Sequence, residues 1–390
     1  MTGARWRHKV TPDPFSLKTP FYLFDFDAAA ERVRLIQSLL PKNARLCYAI
    51  KANAFLLRAL KDMDGLLFEV CSEGELEICR KLNVAPGRIV FSGVMKNREM
   101  LRKAVDYGVK IITIESLSHL DDLIAVLPQG KTQEIILRLS SGNQFGMGRE
   151  DLVAAAKTAA KNPRLSLRGI HYFSGTQKKL SKIKEEIAFI EEFCRGLKAE
   201  CGADISCIEY GPGLRFDYFS KDDFSLNTDD LAGFSEAVSE SAFSYTVELG
   251  RFIASPCGTY ITKICDIKKT DGQNYIIIDG GINHINYYGQ IMAMKEPPCR
   301  LIKKTGQDTE QFQDYCVCGS LCTTADVIAR KMRLASPAQG DLLAFNNIGA
   351  YSVTEGIYLF LSHALPSVYS VQNGTLRTLR EMQETYLLNS

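Results

Sequence analysis

The sequence predicts an α/β protein in which a (β/α)8 TIM-type barrel is followed by a second, C-terminal all-β domain. Three observations predict this fold class. Short apolar runs of β-type residues recur eight times before about residue 250, amphipathic helical patterns separate them, and helical periodicity becomes scarce after about residue 252. Eight strand–helix units over roughly 210 residues match a parallel barrel in number and length.

The predicted barrel strands are apolar runs that are too short to be helices. They end at about residues 50, 70, 91, 114, 139, 172, 210 and 248. A helix over residues 27–40 precedes the first strand and has Pro41 beyond its end. Further helices are predicted over residues 74–82, 97–107, 117–127, 151–161 and 179–198. A doubly wound open sheet is the alternative, which the absence of a G-x-G-x-x-G fingerprint after the first strand weakens.

The second domain is predicted from short β-type runs that Gly, Pro and Asn interrupt. These runs cover residues 260–264, 275–279, 315–318, 341–345 and 358–361, and a first short strand is predicted at 21–24. The sequence therefore predicts a barrel over residues 25–252 and a β-sandwich or β-barrel domain built from residues 1–24 and 253–390.

Composition and charge narrow the class of protein. The 390 residues carry a formal net charge of +2, which gives no reason to expect nucleic acid or an anionic membrane as a partner. Twelve cysteines lie singly in apolar segments, without a signal-like start, and this favours reduced thiols in a cytoplasmic protein. The 316–322 segment contains three of them but lacks a C-x-x-C partner or nearby histidines, so no metal site is predicted.

Polar residues follow the predicted barrel strands, where βα loops converge on one mouth. The strand ends carry Lys51, Glu69, Ser92, Glu115, Arg138, His171, the turn Gly211-Pro212-Gly213 and the motif Glu248-Leu249-Gly250-Arg251. A lysine that leaves an apolar wall is easily desolvated, which favours a neutral amine able to form a Schiff base. The two glycine turns can present backbone N–H groups to a phosphate. Glu248 can hold a cation. A lysine for an aldehyde, a phosphate-binding turn and an acid for a pyridinium nitrogen are together what pyridoxal 5'-phosphate requires.

Many motifs in the same order resemble the fold-type III pyridoxal-phosphate decarboxylases, the group of diaminopimelate, ornithine and arginine decarboxylases. The resemblance covers nearly the whole chain and implies the alanine racemase-like arrangement of barrel and β-domain. It rests on the segments 48–53 (YAIKAN), 69–76 (EVCSEGEL), 144–147 (QFGM), 169–176 (GIHYFSGT), 210–214 (YGPGL), 248–251 (ELGR), 321–327 (LCTTADV) and 349–351 (GAY).

The resemblance implies roles for individual residues. Lys51 matches the lysine that forms the Schiff base, and Glu248 matches the acid paired with the pyridine nitrogen. Cys322 matches a cysteine that enters the active site from a second subunit and donates a proton, so a homodimer with shared sites is implied. The implied cofactor contacts are Lys51, Phe173, Thr176, Gly211, Pro212, Gly213, Glu248, Gly250, Arg251 and Tyr351. The implied substrate contacts are Thr323, Asp326, Tyr287, Tyr288 and Phe145.

Three departures from the family pattern affect the predicted substrate. Phe173 stands where a histidine usually stacks on the cofactor ring, and His171, two places earlier, is interpreted as a structural strand residue. Thr323 replaces an acid that grips a distal ammonium, and the segment 284–290 has no arginine for a distal carboxylate. Free diaminopimelate and ornithine are therefore disfavoured as substrates.

The predicted function is pyridoxal-phosphate-dependent α-decarboxylation of an amino acid or an amino-acid conjugate. The L-C-T-x-x-D form and the ending Gly175-Thr176-Gln177 resemble branches that act in siderophore and antibiotic pathways, on citryl-diaminopropionate or on carrier-bound glutamate. The alternatives are a diaminopimelate decarboxylase, an amino-acid racemase, which would need a second catalytic base such as a tyrosine, and a non-catalytic regulator of the same fold.

Overall fold

The structure, a computed structural model, describes residues 13–220, 228–304 and 311–390. The chain divides into two compact units. The barrel unit comprises residues 31–216 and 226–252, and the β-unit comprises residues 1–30, 217–225 and 253–390. The first twelve residues of the predicted 1–24 segment lie outside the described residues.

Eight parallel strands of the barrel unit close into a barrel in the order β2 to β9. Closure is made where β2 pairs with β9, in a register that places Ala44 opposite Tyr245. The strands are β2 Ala44–Ala49, β3 Leu67–Val70, β4 Ile89–Phe91, β5 Ile111–Ile114, β6 Gln133–Arg138, β7 Leu165–Tyr172, β8 Cys207–Tyr210 and β9 Ser244–Leu249. The predicted barrel is confirmed, and the open-sheet alternative is wrong.

The helices that follow β3, β4 and β5 each begin at a side-chain cap. The side chains of Ser72, Asn97 and Ser116 accept hydrogen bonds from the backbone N–H groups three residues later, which satisfies free donors of the first turn. The helices are α1 Phe26–Leu39, α2 Leu57–Leu60, α3 Glu73–Lys81, α4 Arg98–Tyr107, α5 Leu117–Val126, α6 Arg149–Lys161, α7 Leu180–Cys201, α8 Thr228–Ser239 and α9 Arg251–Ala254.

The β-unit is built on a nine-stranded sheet. Its central strand β1, Phe21–Asp25, pairs antiparallel with β10 and parallel with β16. The other strands are β10 Gly258–Thr270, β11 Gln273–Ile278, β12 Cys299–Ile302, β13 Phe312–Cys318, β14 Val327–Ala335, β15 Leu342–Phe345, β16 Ser367–Gln372 and β17 Thr375–Arg380. A buried apolar cluster that includes Phe21, Ile261 and Val371 packs on one face. The predicted all-β character of this region is confirmed.

One predicted strand is wrong. Residues 358–361 form turns and the start of a short 3-10 helix, Phe360–Ser362, because Leu361 has a left-handed backbone with φ of 59°. Ile357, Leu359 and Phe360 are exposed rather than inserted in a sheet. In the part of the chain that the structure describes, none of the helices combines the length and the apolarity that crossing a membrane requires.

Candidate active site

Lys51 leaves the barrel wall on a single tight turn. Strand β2 ends at Ala49, and a 3-10 turn over Ile50–Ala52 carries the lysine out of the strand while Ile50 and Ala52 stay buried. Asn53 then begins the next turn, where its side chain accepts a hydrogen bond from the backbone N–H of Phe55 at 3.0 Å. The buried neighbours on both sides fix the lysine at the mouth of the barrel.

The Lys51 ammonium is held by groups at the end of β3. Its Nζ donates to Glu69 Oε2 at 2.8 Å, to Glu69 Oε1 at 3.0 Å and to Cys71 Sγ at 3.4 Å. Glu69 is 4% exposed, whereas 45% of the lysine side chain remains accessible at the open mouth. The lysine is thus anchored by a buried carboxylate and still reachable by a ligand.

The ion pair with Glu69 opposes the neutral amine that the sequence predicts for this lysine. Burial alone lowers the pKa of Lys51, but the attraction of Glu69, followed by smaller contributions from Cys71 and Glu248, outweighs it and leaves the pKa raised well above the usual value. Lys51 is an ammonium when it meets a ligand, and it must lose a proton before it can act as a nucleophile. Glu69 is the acceptor within hydrogen-bond reach.

A second lysine of the barrel, Lys96, has a lowered pKa. Lys96 is 4% exposed, and its Nζ donates to the backbone carbonyl of Gly93. Burial lowers the pKa of Lys96 to about 8, against a smaller opposing effect of Glu115. Lys96 therefore loses its proton more easily than Lys51 does. Labelling of the two lysines distinguishes which of them is the nucleophile.

Glu248 occupies the end of β9 beside an imidazole. His171 Nε2 lies 3.3 Å from Glu248 Oε2, and both side chains are almost fully buried. Burial alone would raise the pKa of Glu248, but contact with His171, a hydrogen bond with Glu209 and the charge of Lys51 together lower it. Glu248 is therefore a buried carboxylate that stays ionised. The interpretation of His171 as only a structural strand residue missed this contact.

The glycine turn after β8 is shaped by a neighbouring loop. Gly213 has φ of +60°, and a Cβ placed on it would lie 2.3 Å from the carbonyl oxygen of Gly175 and 2.9 Å from Thr176 Cα. Lys178 N donates to the carbonyl oxygen of Gly213 at 2.9 Å. The structure thus brings together two of the predicted phosphate-binding segments, the Gly211–Gly213 turn and Thr176. Only a glycine fits this approach of two backbones.

Phe173 packs against the same turn. A Cβ placed on Gly211 would lie 2.5 Å from Phe173 Cδ2. Lys178 Nζ lies 5.9 Å from the centre of the Phe173 ring, and it forms a 2.6 Å ion pair with the buried Glu186. The sequence interpretation did not include Lys178, whose ammonium adds positive charge beside the glycine turn. The ring-stacking role of Phe173 stays a prediction.

The end of β6 carries a charged pair that orders the following loop. Arg138 Nη1 donates to Glu115 Oε1 at 2.8 Å, and both side chains are buried. The Arg138 guanidinium lies 4.7 Å from the centre of the Phe145 ring, a distance at which cation and ring attract each other. Phe145, predicted to contact substrate, is therefore held at the barrel mouth by Arg138.

Six of the predicted residues belong to the β-unit. Cys322 and Thr323 are exposed on the loop between β13 and β14. Asp326 is 2% exposed and accepts hydrogen bonds from the backbone N–H groups of Ile282 and Leu321, both at 2.8 Å. Both carboxylate oxygens of Asp326 are occupied by backbone N–H groups of neighbouring loops, which argues against the predicted substrate contact. Tyr351 has a left-handed backbone with φ of 67°, a costly conformation of the kind that clusters at functional sites.

Two tyrosines predicted to contact substrate differ in exposure. Tyr287 is 4% exposed, and its hydroxyl donates to the carbonyl oxygen of Asn346 at 2.7 Å. Tyr288 is 48% exposed. Tyr287 is thus part of the structural core of the β-unit and also lines a surface cavity, whereas Tyr288 is accessible from solvent.

The residues at the barrel mouth fit pyridoxal phosphate. The turn at Gly213 would be filled by any Cβ, and Glu248 Oε1 has no hydrogen-bond partner among the described residues. A backbone cradle for a phosphate and a buried, ionised acid with an unused oxygen for a pyridinium N–H are both present. With the lysine after β2, these features define a barrel enzyme that holds this cofactor.

The comparisons with known proteins agree with this class. Residues 27–255, more than half of the chain, match the family model described as pyridoxal-dependent decarboxylase, pyridoxal binding domain. The chain therefore belongs to the pyridoxal-dependent decarboxylase family. It is an enzyme of this type, a carboxy-lyase that depends on pyridoxal phosphate.

Curated relatives match almost end to end. The L-glutamyl-[BtrI acyl-carrier protein] decarboxylase of Niallia circulans is 26% identical, over 93% of this chain and 91% of the relative. The 2-[(L-alanin-3-ylcarbamoyl)methyl]-2-hydroxybutanedioate decarboxylase of Staphylococcus aureus is 29% identical, over 90% and 94%. The diaminopimelate decarboxylase of Aquifex aeolicus is 26% identical, over 94% and 89%.

Among solved structures, the diaminopimelate decarboxylase of Helicobacter pylori complexed with L-lysine superposes with a TM-score of 0.83. It covers 96% of this chain and 96% of its own, at 24% identity. This likeness shows that the fold is the fold type III arrangement.

We expect Gly213→Ala to weaken cofactor binding by tenfold or more and to destabilise the barrel by about 1–3 kcal/mol, because the new methyl group collides with the Gly175 carbonyl and the residue keeps a positive φ. Absorbance titration of the cofactor-free variant with pyridoxal phosphate measures the first effect. Gly130→Ala is the matched control, since Gly130 has φ of +76° with nothing within 4 Å. Equal cofactor affinity in both variants would contradict the phosphate cradle.

Proposed function

We propose that the chain decarboxylates an amino acid whose distal end is a neutral, conjugated group rather than a free carboxylate or ammonium. One observation carries this proposal. In the family that the sequence resembles, charged residues of two β-unit segments contact the distal end of the substrate, and in this chain the corresponding segments, 284–290 and the position of Thr323, are neutral. The free cysteines support the predicted cytoplasmic location.

The only basic group of the segment 283–290 is unavailable for a distal carboxylate. His284 is 3% exposed, its Nδ1 lies 2.9 Å from the Tyr260 hydroxyl, and Asn283 Nδ2 lies 3.2 Å from its Nε2. Burial lowers the pKa of His284 to about 3, so the ring is neutral at physiological pH. A distal carboxylate would therefore find no charge-assisted donor in this segment.

A cavity of about 250 Å³ lies between this segment and the loop that follows Cys322. Its lining combines apolar side chains such as Ile282, Tyr287 and Ile328 with the amides of Asn286 and Gln290, and Glu355 is its one carboxylate. Glu355 accepts a hydrogen bond from Asn286 Nδ2 at 3.1 Å. A neutral arm with amide groups suits such walls better than a free diamine or a diacid.

The barrel residues would divide the work of the reaction. When bound, pyridoxal phosphate supplies an electron sink for the pair of electrons that the departing carboxylate leaves behind. The Gly211–Gly213 turn and Thr176 would hold its phosphate, and Glu248 would hold its ring nitrogen. Glu69 would accept the proton that Lys51 must lose, because its carboxylate lies within 3.0 Å of Nζ.

The substrate proposal is tested with a panel assayed for carbon dioxide release. The panel contains free diaminopimelate, ornithine and glutamate, and the γ-amide and γ-pantetheine thioester of glutamate. We expect kcat/KM to favour the neutral conjugates by roughly 10–100-fold, because each unpartnered distal charge loses a charge-assisted hydrogen bond worth about 1.5–3 kcal/mol. Thr323→Asp should raise the activity on ornithine.

Each outcome of the panel decides between the alternatives. Fast release from free diaminopimelate would overturn the neutral-arm proposal and leave the decarboxylase intact. Inversion of an α-carbon without carbon dioxide release would favour the racemase. Cofactor binding without turnover of any compound would favour the regulator.

Cys322 is proposed to donate a proton to the substrate α-carbon of the neighbouring subunit of a homodimer. Cys322→Ala should slow release of the amine, because the carbon that lost carbon dioxide then lacks its proton donor. Part of the product should become a carbonyl compound, since a proton added to the cofactor instead of to that carbon would leave the amino group on the cofactor and let water release the carbonyl. Mixing Cys322→Ala with Lys51→Ala protein should restore about a quarter of the wild-type activity, because half of the reassorted dimers contain one intact site.

Each of the two subunit arrangements gives a different mixing result. Chromatographic mass and activity of the mixture after subunit exchange are the measurements. A dimer that exchanges subunits without any recovery would place Cys322 in the site of its own chain. Unchanged rate and product in Cys322→Ala alone would remove it from proton donation altogether.

A further inference from the structure

A cluster of two carboxyl groups and one imidazole is buried where β7, β8 and β9 end. His171 stands opposite Glu209 in the pairing of β7 with β8, and Glu209 stands opposite Thr246 in the pairing of β8 with β9. Glu248 lies two residues beyond Thr246 and therefore on the same face of the strand. One ring nitrogen of His171 and one carboxylate oxygen of each glutamate lie within 4.8 Å of one another.

The two carboxyl groups of this cluster differ in their hydrogen-bond contacts. Glu248 Oε2 faces His171 Nε2 at 3.3 Å, whereas Glu209 Oε1 has no hydrogen-bond partner among the described residues. Glu209 is 1% exposed. Two buried carboxylates this close repel each other strongly, and the repulsion disfavours the state in which both are ionised. A single proton on the pair removes this repulsion.

We propose that Glu209 is a positioning residue that keeps its proton at neutral pH, donates it in a hydrogen bond to Glu248, and so holds the Glu248 carboxylate ionised and oriented. The proton belongs on Glu209 because Glu248 has the imidazole and the nearby Lys51 in its favour. The His171 Nε2 atom faces Glu248 Oε2, whereas Glu209 Oε1 has no hydrogen-bond partner among the described residues.

The groups that face Glu209 come from every neighbouring strand. They are Glu69 on β3, Cys47 on β2, Cys207 on its own strand, His171 on β7 and Glu248 on β9. Burial raises the pKa of Glu209 well above its usual value, and the charge of Glu248, a hydrogen bond with it, and the smaller effects of Cys207 and Glu69 act in the same direction. Electrostatics and geometry place the proton on the same carboxyl group.

The arrangement gives the barrel end one fixed negative charge instead of two. In the proposed function this charge faces the ring nitrogen of the cofactor, and the benefit of the proton on Glu209 rests on that function. The proton itself needs no cofactor. Its test therefore uses the full-length protein after cofactor removal, and a failure of the substrate proposal would leave the result unaffected.

Infrared difference spectroscopy at pH 7.5 tests where the proton lies. We expect a protonated-carboxyl carbonyl band in the wild type that shifts on labelling with ¹³C-glutamate and disappears in Glu209→Gln. Glu186→Gln is the matched control, because Glu186 is also buried but forms an ion pair with Lys178 at 2.6 Å. The control should keep the band. The isotope shift in the wild type keeps the test valid if Glu209→Gln does not fold.

The pH dependence of unfolding gives an independent readout. A carboxyl group whose pKa is higher in the folded state than in the unfolded state binds more protons when folded, so its contribution to stability falls as pH rises above the unfolded pKa. Glu209→Gln removes this penalty. Its melting temperature relative to the wild type should therefore rise by a few degrees between pH 5 and pH 8. In Glu186→Gln the corresponding difference should stay flat.

The opposite results would overturn the proposal. A Glu209→Gln difference that is constant with pH would mean that Glu209 only fills space or makes a neutral hydrogen bond. A wild type without a glutamic acid band would mean that both carboxyl groups are ionised. Stoichiometric metal in the purified protein together with a missing band would assign the His171, Glu209 and Glu248 cluster to a divalent cation instead.

Discussion

Lys51→Ala is expected to lower turnover by at least about a thousandfold, on the order of 4 kcal/mol in the activation barrier, because the variant loses the amine that forms the Schiff base with the cofactor. Borohydride reduction of the purified wild type should bleach the visible cofactor band and leave a pyridoxyl mass on the peptide that contains Lys51. The same treatment of the variant should leave that peptide unmodified.

Lys96 makes this experiment decisive. Its lowered pKa makes it the more available free amine, whereas Lys51 is held as an ammonium by Glu69. Lys96→Met is therefore the control, and it should keep the pyridoxyl label on Lys51. A label on Lys96 in the wild type would reverse the assignment of the nucleophile. A colourless protein that stays unmodified after addition of pyridoxal phosphate would contradict cofactor binding itself.

Glu248→Gln is expected to lower kcat by roughly 10²–10³-fold, because the glutamine cannot supply the buried negative charge that holds a protonated ring nitrogen. The absorbance maximum of the bound cofactor should shift at the same time, since its ring would lose a proton. Steady-state assays and the visible spectrum of the holoenzyme measure the two effects.

The matched control is Glu200→Gln, which removes a carboxylate from an exposed ion pair with Arg149. Exposed pairs of this kind contribute little, so neither the rate nor the spectrum should change. If Glu248→Gln behaved like Glu200→Gln, the acid of the cluster would have no role in electron withdrawal, and Glu248 would be a structural partner of His171.

The barrel was predictable because its signal is local. Each parallel strand is buried on both faces and therefore appears as an apolar run, and the observed ends at Ala49, Val70, Phe91, Ile114 and Tyr210 match the expected ones within about one residue. The β-unit was less predictable because its pairing is non-local. Strands β12, β14, β16 and β17 mix polar and apolar residues without a clear period and were not expected individually.

The candidate site was predictable in its residue types and not in its electrostatics. The sequence places Lys51 and Glu248 at strand ends, but their charges depend on Glu69 and His171, which only the strand registers bring near. The same registers set Glu209 beside Glu248, although 38 residues separate them along the chain. Burial without a neighbouring carboxylate would have made Lys51 the neutral amine expected from its apolar flank.

The position of β1 within its sheet has a consequence for biosynthesis. β1 is synthesised before the barrel, yet it pairs with β16 in a register that sets Phe21 opposite Ser367. At about 5–20 residues per second, translation of the intervening chain takes roughly 20–70 s. Throughout that interval the strand, with the sequence Phe-Tyr-Leu-Phe-Asp, lacks its parallel neighbour β16, and before residue 258 it lacks β10 as well.

The nascent chain therefore carries the apolar, β-prone segment β1 unpaired while the barrel that follows it emerges from the ribosome. Such a segment is a target for chaperones and a risk for association between neighbouring nascent chains. We expect truncation before residue 367 to give aggregated protein even though every barrel strand is present, because the sheet around β1 cannot close. The sheet around β1 can therefore be completed only after β16 has been synthesised.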